Sequence, residues 1–421
     1  NALEQLNIIG ERYDKGGSSI SNNGNFSSIR QDETEYVGKY RSLFNIINYN
    51  STAIGRRALK NRLINPIQNV ETLNSRYNQI EEMMDFQSGV ANCEFYQQFE
   101  RKLVKIYDIE KFHRKIAMGR FYVTDINSLD ISYQGVIELL SLFEQIRSNN
   151  SSDSNNSIDS PKPHLMSLVP THNEIDIFNE FIEDYRKRFD FSKCTQPINK
   201  LERCFFNKGV YPELDKIQNE IDIDTNFLDI LIGKLSKWID PKCKKPIVNK
   251  KYNETMKHHI CCTIKRSKIL KERFQNMGYR HFKIGKYTID PKQIVYNVIS
   301  KNQVHIKIDC IEKSSISLVV SVNYIKKKQE EIFNQLMNDY YQKYHLIWKR
   351  IVKFIGEVDM IKSCAKTAII NGYSKPIINE NNPRSYFEAT GIRHPIIEKI
   401  QTKIPYVPND LCLGKRANDR A

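Results

Sequence analysis

Cysteine motifs of the CxxC type are missing from this sequence. Its nine cysteines are scattered over 421 residues, and no two of them form a CxxC pair. Such thiols are typical of a reduced intracellular protein and give no disulfide framework. No apolar run approaches the roughly 20 residues that a membrane-spanning helix needs, and no signal peptide opens the chain. These absences predict an intracellular protein that is not secreted and has no membrane partner.

The sequence also lacks the common catalytic signatures. It contains no G-x-x-x-x-G-K-[ST] string, because Gly414-Lys415 is followed by Arg416. We therefore expect no site for a nucleotide phosphate and its Mg²⁺ in this chain alone. There is also no Ser/His/Asp arrangement, no pair of carboxylates that indicates a catalytic role, and no dinucleotide fingerprint. The chain is expected to bind no cofactor and to catalyse no reaction by itself.

What the sequence does contain is a concentrated positive charge. The whole chain carries a net charge of +15, and residues 234–286 hold 16 Lys and Arg against three acidic residues, a local net charge of +13. A field of this strength gathers polyanions, of which nucleic acid is the commonest in cells. A solvated lysine-rich loop is the alternative. Codon bias would spread lysine evenly along the chain, and here it is concentrated.

Eight basic side chains of this window are the candidate contacts to DNA phosphates. They are Lys244, Lys245, Lys250, Lys251, Arg266, Lys268, Lys271 and Arg273. The window also holds His258, His259, Cys261 and Cys262, but adjacent pairs do not give the short chelating loops that zinc sites use. We therefore predict no metal site there.

Two long amphipathic helices flank the basic window. Apolar residues recur at helical spacing from Pro212 to about Ile239, and again from Tyr324 to Ile361 over roughly 55 Å. Pro212 suits a first helical turn, and Pro241 suits the end of a helix. The simplest way for both helices to bury their apolar stripes is an antiparallel pair.

Between these helices the apolar period changes to two. Alternation covers Phe282 and Ile284, then residues 304–310, then residues 316–322. Such alternation is typical of half-buried antiparallel strands. The predicted fold is therefore mainly α with a small antiparallel β module, carried at the tip of the two helices.

Most of the remaining chain also has helical periodicity. Helices are predicted from residue 40 to Pro66, over 70–86, over 129–146 and over 175–189. Residues 1–36 are polar and are predicted to be a flexible leader or linker. The Ser/Asn-rich residues 148–163 are predicted to be a disordered insertion.

Three stretches of the chain carry a set of recognisable sequence motifs. The first has SLFN at 42–45, NSTAIGRRAL at 50–59, LINPI at 63–67 and NSR at 74–76. The second is GVYPELD at 209–215. The third has GIRHPIIE at 391–398 and PYVPND at 405–410. In their residues, order and spacing these stretches resemble the MutS family of DNA mismatch repair proteins, although Arg62-Leu63 stands where the family often has Trp-Leu.

The resemblance implies a MutS-like helical core, long antiparallel lever helices and an inserted clamp that touches the DNA backbone. It divides the chain into a leader (1–36), a helical core domain (37–211), an outgoing lever helix (212–241), a basic α/β clamp (242–322), a returning lever helix (323–375) and the truncated start of an ATPase domain (376–421). In the full-length parent, the resemblance implies ATP and Mg²⁺ as cofactors, and a homo- or heterodimer formed through the missing ATPase domain. Tyr406 stands at the position that stacks on adenine in the family, and the alternative is a tyrosine packed at a domain boundary.

The leading hypothesis is thus a fragment of a MutS-type protein that clamps double-stranded DNA under the control of an ATPase domain missing from this chain. The alternatives are a MutS-like role in recombination or genome maintenance, and a helical scaffold for protein partners. The place of action would be the nucleus, the cytoplasm or a viral replication site. The mismatch-reading F-x-E motif of the family occurs at Phe178 and Phe181, but both lie in a helical pattern and are interpreted as core residues.

Overall fold

The computed structural model describes residues 5–9, 40–85, 95–152, 164–285, 287–380, 385–400 and 404–414. These residues are mainly helical with small antiparallel sheets, so the predicted fold class is confirmed. They form two compact units. Unit 1 is drawn from Asn1–Met118, Ser128–Glu180 and Tyr341–Ala421, and unit 2 from Gly119–Asn127 and Phe181–Tyr340. In the part of the chain described here, no helix is both long enough and apolar enough to cross a membrane.

The first part of the chain is helical, with helices of 5 to 27 residues. They are α1 (Leu43–Ile47), α2 (Ala53–Ile64), α3 (Val70–Asp85), α4 (Phe95–Leu103), α5 (Ile109–Ala117), α6 (Ile126–Ser152) and α7 (His172–Arg188). Their starts follow capping residues: the Thr52 hydroxyl accepts from the Gly55 N–H, and the Asp108 carboxylate accepts from the Lys111 N–H. Helix α2 ends two residues before Pro66, as predicted, because proline cannot supply the next amide.

Unit 2 is built from a helix, a β module and the first part of a very long helix. The elements are α8 (Pro212–Ile239), β1 (Asn249–Asn253), β2 (Lys257–Thr263), α9 (Ile264–Asn276), β3 (Phe282–Ile284), β4 (Tyr287–Ile289), β5 (Val295–Ser300), β6 (Gln303–Lys307) and α10 (Asp309–Asn371). Strands in the order β1-β2-β6-β5 form an antiparallel sheet, and β3 pairs with β4.

Helix α8 lies antiparallel to the start of helix α10. Near one end of the pair, Glu213 accepts a hydrogen bond from the Tyr324 hydroxyl at 2.9 Å. Eleven residues further along α8, the buried Asp224 accepts from the Ser314 hydroxyl at 3.2 Å. The partner positions run in opposite directions, so the predicted antiparallel pair is found. Its second member is the segment around residues 314–328, however, and not the whole of 324–361.

The prediction that residues 316–322 form a strand is wrong. They belong to α10, which begins at Asp309 and contains 63 residues, about 95 Å of helix rather than 55 Å. Ile308 and Cys310 are outside β6, whereas Val304 and Ile306 lie within it. Leu318 is buried, but Ile316 and Val320 are about 60% exposed, at 59% and 61%. The apolar alternation therefore does not mark one buried face, and the real stripe runs through Ile311, Leu318 and Ile325 at helical spacing.

Two polar segments also differ from expectation. Helix α6 continues to Ser152, so the first residues of the predicted insertion are helical, and residues 153–163 lie outside the described part. Of the predicted leader, residues 5–9 are described. There the carbonyls of Asn7 and Ile8 accept from the N–H groups of Leu43 and Phe44 at 2.8 and 3.0 Å, which attaches this short segment to the start of α1.

A fully buried ion pair fixes the loop before α2 to helix α10 in unit 1. The Lys362 ammonium lies 3.1 Å from the Asp359 carboxylate, and both side chains are inaccessible to solvent. Asp359 accepts from the N–H groups of Ser51 and Thr52 and from the Thr52 hydroxyl at 2.7–2.9 Å. Gly55 packs so closely against Asp359 that a Cβ there would overlap the carboxylate. This arrangement gives a physical reason for the T-x-x-G spacing that the sequence shows at 52–55.

The last described segment of unit 1 is a small two-stranded sheet. Strand β7 (Phe387–Ile392) pairs with β8 (Asn409–Leu413), and α11 (Pro395–Ile400) lies between them in sequence. The Arg393 guanidinium donates to the Asn371 carbonyl at 2.7 Å and thus caps the C-terminal end of α10. The Asp410 carboxylate accepts from the Gly391 N–H at 2.7 Å, which joins the two halves of the third sequence motif.

Candidate nucleic-acid interface

The described residues of the basic window, 234–285, form the end of α8, strands β1, β2 and β3 and helix α9, all in unit 2. The Trp238 ring at the end of α8 packs against this module, with its centroid 5.3 Å from that of Phe274 in α9 and 4.7 Å from that of Phe282 in β3. Helix α9 starts after Thr263, which caps the Arg266 N–H, and buries Ser267, Leu270 and Phe274. All eight predicted phosphate contacts are in this unit.

The four-stranded sheet has two chemically different faces. Because side chains alternate along a strand, Ile260 and Cys262 of β2 share one face with Ile306 of β6 and Tyr296 of β5. Helix α9 lies on this side, which we call the helix face. His259, Cys261 and His305 point to the other side, called the histidine face, where the two imidazole rings lie 5.5 Å apart.

Adjacent lysines of β1 therefore go to opposite faces. Lys251 is on the histidine face, where its ammonium donates to the Gln303 side chain at 2.9 Å. Lys250 is on the helix face and lines a cavity of ≈ 330 Å³ together with His258 and Lys326. Lys250 is half-buried and Lys251 is exposed. The two lysines cannot contact the same phosphate track without rearrangement.

The basic residues of α9 also divide into groups. At about 100° per residue, Arg266 and Arg273 share one flank, whereas Lys268 and Lys271 lie on the other side of the exposed surface. The Lys271 ammonium lies over the Tyr296 ring at 4.6 Å from its centroid, a cation–π contact at the edge of the sheet. Lys268, Lys271 and Arg273 are exposed, and Arg266 is half-buried.

Arg266 connects its flank of α9 to the loop of residues 240–248. Its guanidinium donates to the Ile247 carbonyl at 3.1 Å. The buried Ser236 hydroxyl accepts from the N–H groups of Ile247 and Val248 at 3.0 and 3.1 Å. Lys244 and Lys245 project from this fixed loop and are exposed. We call Lys244 and Lys245 of this loop, together with Arg273 on the Arg266 flank of α9, the loop group.

Two histidines of the module have a lowered pKa. Burial, followed by repulsion between its imidazolium and the neighbouring His259 and Lys307 groups, lowers the pKa of His305. Burial and the neighbouring Lys250 ammonium lower the pKa of His258. Gln303, His305 and Lys307 lie after the basic window in the sequence and were not among the predicted site residues. The two-residue period of β6 could have found them, once its pairing with β2 was known.

The crowded histidines and cysteines do not converge. His258 and His259 point to opposite faces, as do Cys261 and Cys262, because each pair is adjacent on β2. Burial raises the pKa of the Cys262 thiol to about 11, so its thiolate form is scarce at neutral pH. Within the described residues, no group of three or more His, Cys, Asp or Glu side chains could hold a metal ion.

The remaining predicted site residue, Tyr406, lies in unit 1. It is half-buried in the segment that leads into β8, four residues before Asp410. His394 accepts from the Ile397 N–H through Nδ1 at 3.3 Å, which is a capping role at the start of α11. Phe178 and Phe181 are both buried in α7, as the sequence predicted.

Comparison with known proteins places the chain in a family. The MutS domain III family model matches residues 1–365, so this chain belongs to the MutS family. A mutS homolog of Acanthamoeba polyphaga mimivirus is 28% identical over 99% of this chain and 34% of its own length. The DNA mismatch repair protein MutS of Treponema denticola is 22% identical over 93% of this chain and 38% of its own length.

A third relative is the mitochondrial DNA mismatch repair protein mutS homolog of Sarcophyton glaucum. It is 24% identical over 89% of this chain and 34% of its own length. The chain thus spans little more than a third of the length of these curated relatives. The resemblance recognised in the sequence is confirmed at the level of the family.

Proposed function

We propose that this chain is the DNA-holding part of a MutS-type DNA mismatch repair protein. The observation that carries the proposal is the position of the +13 window. In a chain that belongs to the MutS family, this window folds onto the β module at the far end of the α8–α10 pair. Relatives named as DNA mismatch repair proteins match nearly the whole chain, which supports DNA as the partner.

The proposed mode of contact is to the phosphate backbone. Lys and Arg side chains on a loop, a helix flank and a sheet face present positive charge, and backbone contacts of this kind position a protein without reading sequence. Among the eight predicted contacts, the loop group has the best geometry, because Lys244, Lys245 and Arg273 are exposed on connected structure. Lys251, Lys268 and Lys271 are exposed elsewhere on the module. Lys250 is half-buried beside a cavity, and the half-buried Arg266 guanidinium already donates to the Ile247 carbonyl.

The domain roles are also part of the proposal. Residues 212–241 and the helix that begins at Asp309 would act as the levers, residues 242–308 as the clamp, and residues 376–421 as the start of an ATPase domain. Helix α10 contributes to both compact units, which makes it the candidate for passing movement along the chain. ATP with Mg²⁺, a Tyr406 contact to adenine and a homo- or heterodimer belong to the full-length protein in this proposal.

A salt-dependent titration tests the proposal. Fluorescence anisotropy of a labelled duplex is measured with the chain at two salt concentrations, for example 50 and 200 mM. Backbone contact predicts saturable binding that weakens by a factor of about 10³ or more if six or more phosphates are neutralised, and proportionately less for fewer. Weak, non-saturating binding would instead favour a helical scaffold for protein partners. Duplexes with and without a mismatch, compared in the full-length protein, separate mismatch repair from recombination or genome maintenance.

A further inference from the structure

A second basic site is found in unit 1. Helices α2, α3 and α10 line an open cavity of ≈ 550 Å³, a size typical of sites for small molecules. One wall is apolar and includes Ile54, Val352 and Met360. The polar side chains along the rest of the cavity include Arg57, Arg62, Arg76 and Lys353, with the carboxylates of Glu110 and Glu357.

Two of these four cations are already paired. The Arg57 guanidinium binds the Asp108 carboxylate through two hydrogen bonds at 2.7 and 2.9 Å and also binds Glu110. The Lys353 ammonium lies 4.0 Å from Glu357. Neither Arg62 nor Arg76 makes a hydrogen bond or an ion pair with any residue that the structure describes. The cavity therefore presents two guanidinium groups whose donors are unused.

The environment of Arg62 makes this lack of a partner costly. Burial, followed by repulsion from Arg76, lowers the pKa of the Arg62 guanidinium to about 10, and attraction by Glu357 offsets only part of this. Two cations that repel each other in a partly desolvated cavity destabilise the fold unless an anion joins them. Guanidinium groups match phosphate oxygens through paired hydrogen bonds, which a single ammonium cannot do.

We propose that this cavity binds a phosphate-bearing small molecule, with Arg62 and Arg76 holding the phosphate and the apolar wall facing the rest of the ligand. Two sources share this chemistry: an inorganic phosphate or pyrophosphate, and the phosphate of a nucleotide. An apolar wall beside the two guanidinium groups gives a nucleotide additional contact area that an inorganic anion cannot use. This site lies outside the module proposed to hold DNA, so it goes beyond that function and does not depend on it.

Calorimetric titration of the whole chain at constant ionic strength tests the site, with pyrophosphate, adenosine monophosphate and adenosine as separate probes. We expect saturable binding of at least one of the two phosphate probes, with adenosine binding much more weakly than adenosine monophosphate. Arg62→Gln and Arg76→Gln should each weaken phosphate binding about tenfold or more, since a hydrogen bond to a charged group contributes at least that factor. Arg101→Gln is the matched control, because Arg101 is exposed on α4 outside the cavity, and it should leave binding unchanged.

A second readout separates a binding role from a structural one. Without ligand, Arg62→Gln should keep or raise the melting temperature, because the substitution removes a desolvated charge and its repulsion. If Arg62→Gln fails to fold, the inference about unrelieved repulsion is overturned, and Arg76→Gln still tests the phosphate contact. The proposal is also overturned if neither phosphate probe binds saturably, if adenosine binds as well as its monophosphate, or if both arginine variants bind like Arg101→Gln. Competition by short duplex DNA with the same Arg62 dependence, in the absence of binding by the small phosphates, would identify a nucleic-acid contact instead.

Discussion

Asp359 and Lys362 form an ion pair of 3.1 Å one turn apart on helix α10, and neither side chain is reached by solvent. The pair is also the centre of a hydrogen-bond network. Lys362 donates to the Tyr49 carbonyl at 2.6 Å and to the Ser51 hydroxyl at 2.9 Å. Asp359 accepts from the N–H groups of Ser51 and Thr52, the two residues just before α2. Residues more than 300 positions apart in sequence are joined here, so the pair fixes the N-terminal helices of unit 1 to α10.

Removing one member of this pair is expected to be severe. Lys362→Met should lower the free energy of unfolding by about 3–5 kcal/mol, because the Asp359 carboxylate would remain buried without its cation. The measurement is chemical unfolding followed by circular dichroism. Lys349→Met on an exposed turn of the same helix is the control and should change stability by no more than about 0.5 kcal/mol. Equal effects of the two substitutions would contradict the role of the ion pair.

Two glycine substitutions should have opposite effects. Gly55→Ala is expected to destabilise unit 1 by about 1–3 kcal/mol, because its Cβ would overlap the Asp359 carboxylate and displace the network. Gly233→Ala in α8 should stabilise the chain by about 0.5–1 kcal/mol, since nothing lies within 4 Å of its Cβ and alanine is the better helix former. Thermal unfolding of the two variants tests both predictions. A stabilising effect of Gly55→Ala would show that Gly55 does not lie so close to Asp359.

Ser236 provides a test of the loop group that leaves its charge unchanged. Ser236→Ala removes the acceptor of two backbone N–H groups at Ile247 and Val248, which should cost about 1–3 kcal/mol and loosen residues 240–248. We expect weaker binding to duplex DNA, although the net charge is the same. Ser141→Ala, which removes a hydroxyl that donates to the Glu138 carbonyl within α6, is the control in the same anisotropy titration. Equal DNA affinity of the two variants would show that residues 240–248 are not part of the interface with DNA.

His113 should make unit 1 sensitive to acid. It is buried against Trp348, with the ring centroids 4.7 Å apart, and its Nε2 lies 2.6 Å from the Tyr133 hydroxyl. Burial lowers its pKa from 6.5 to about 3. The folded state therefore resists a proton that the unfolded chain accepts, and this contribution to stability is complete above about pH 6.5 and is lost as the pH falls towards about 3.

The expected measurement is a pH series of chemical unfolding. Between about pH 6 and pH 4, the wild-type chain should lose up to about 1.4 kcal/mol per pH unit through His113. His113→Gln should be less stable at pH 7 but should show a shallower decline, whereas His345→Gln at an exposed position of α10 should keep the wild-type slope. A His113→Gln variant with the full wild-type slope would assign the acid sensitivity to other groups.

Helix boundaries were predictable wherever the local signals were strong. Helix α8 spans Pro212–Ile239 as the sequence indicated, because proline marks its first turn and Pro241 follows its end. The start of α10 was missed because residues 316–322 alternate apolar and polar types within a helix. The small buried hydroxyls of Ser314 and Ser315 belong to its packed face, and residue type alone does not reveal that.

The candidate interface was predictable as a segment but not as a surface. Net charge identified residues 234–286, and the structure then sends Lys250 and Lys251 to opposite faces of a sheet. Arg266 is turned towards the Ile247 carbonyl, and Lys271 towards the Tyr296 ring. These outcomes depend on strand register and on helix orientation, which no local pattern encodes. The sequence also did not predict the buried Asp359–Lys362 ion pair, because charged residues on a long helix are normally exposed.

The salt dependence of DNA binding by a triple variant tests the central claim most directly. Lys244, Lys245 and Arg273 are changed to Gln together, and the control changes Arg101, Lys111 and Lys349 of unit 1, which lowers the net charge by the same amount. We predict that the loop-group variant reduces the slope of log affinity against log salt by about 2–3, close to 0.9 per lost phosphate contact. The control variant should keep the wild-type slope. Equal slopes for the two variants would contradict the account that this β module holds the DNA backbone.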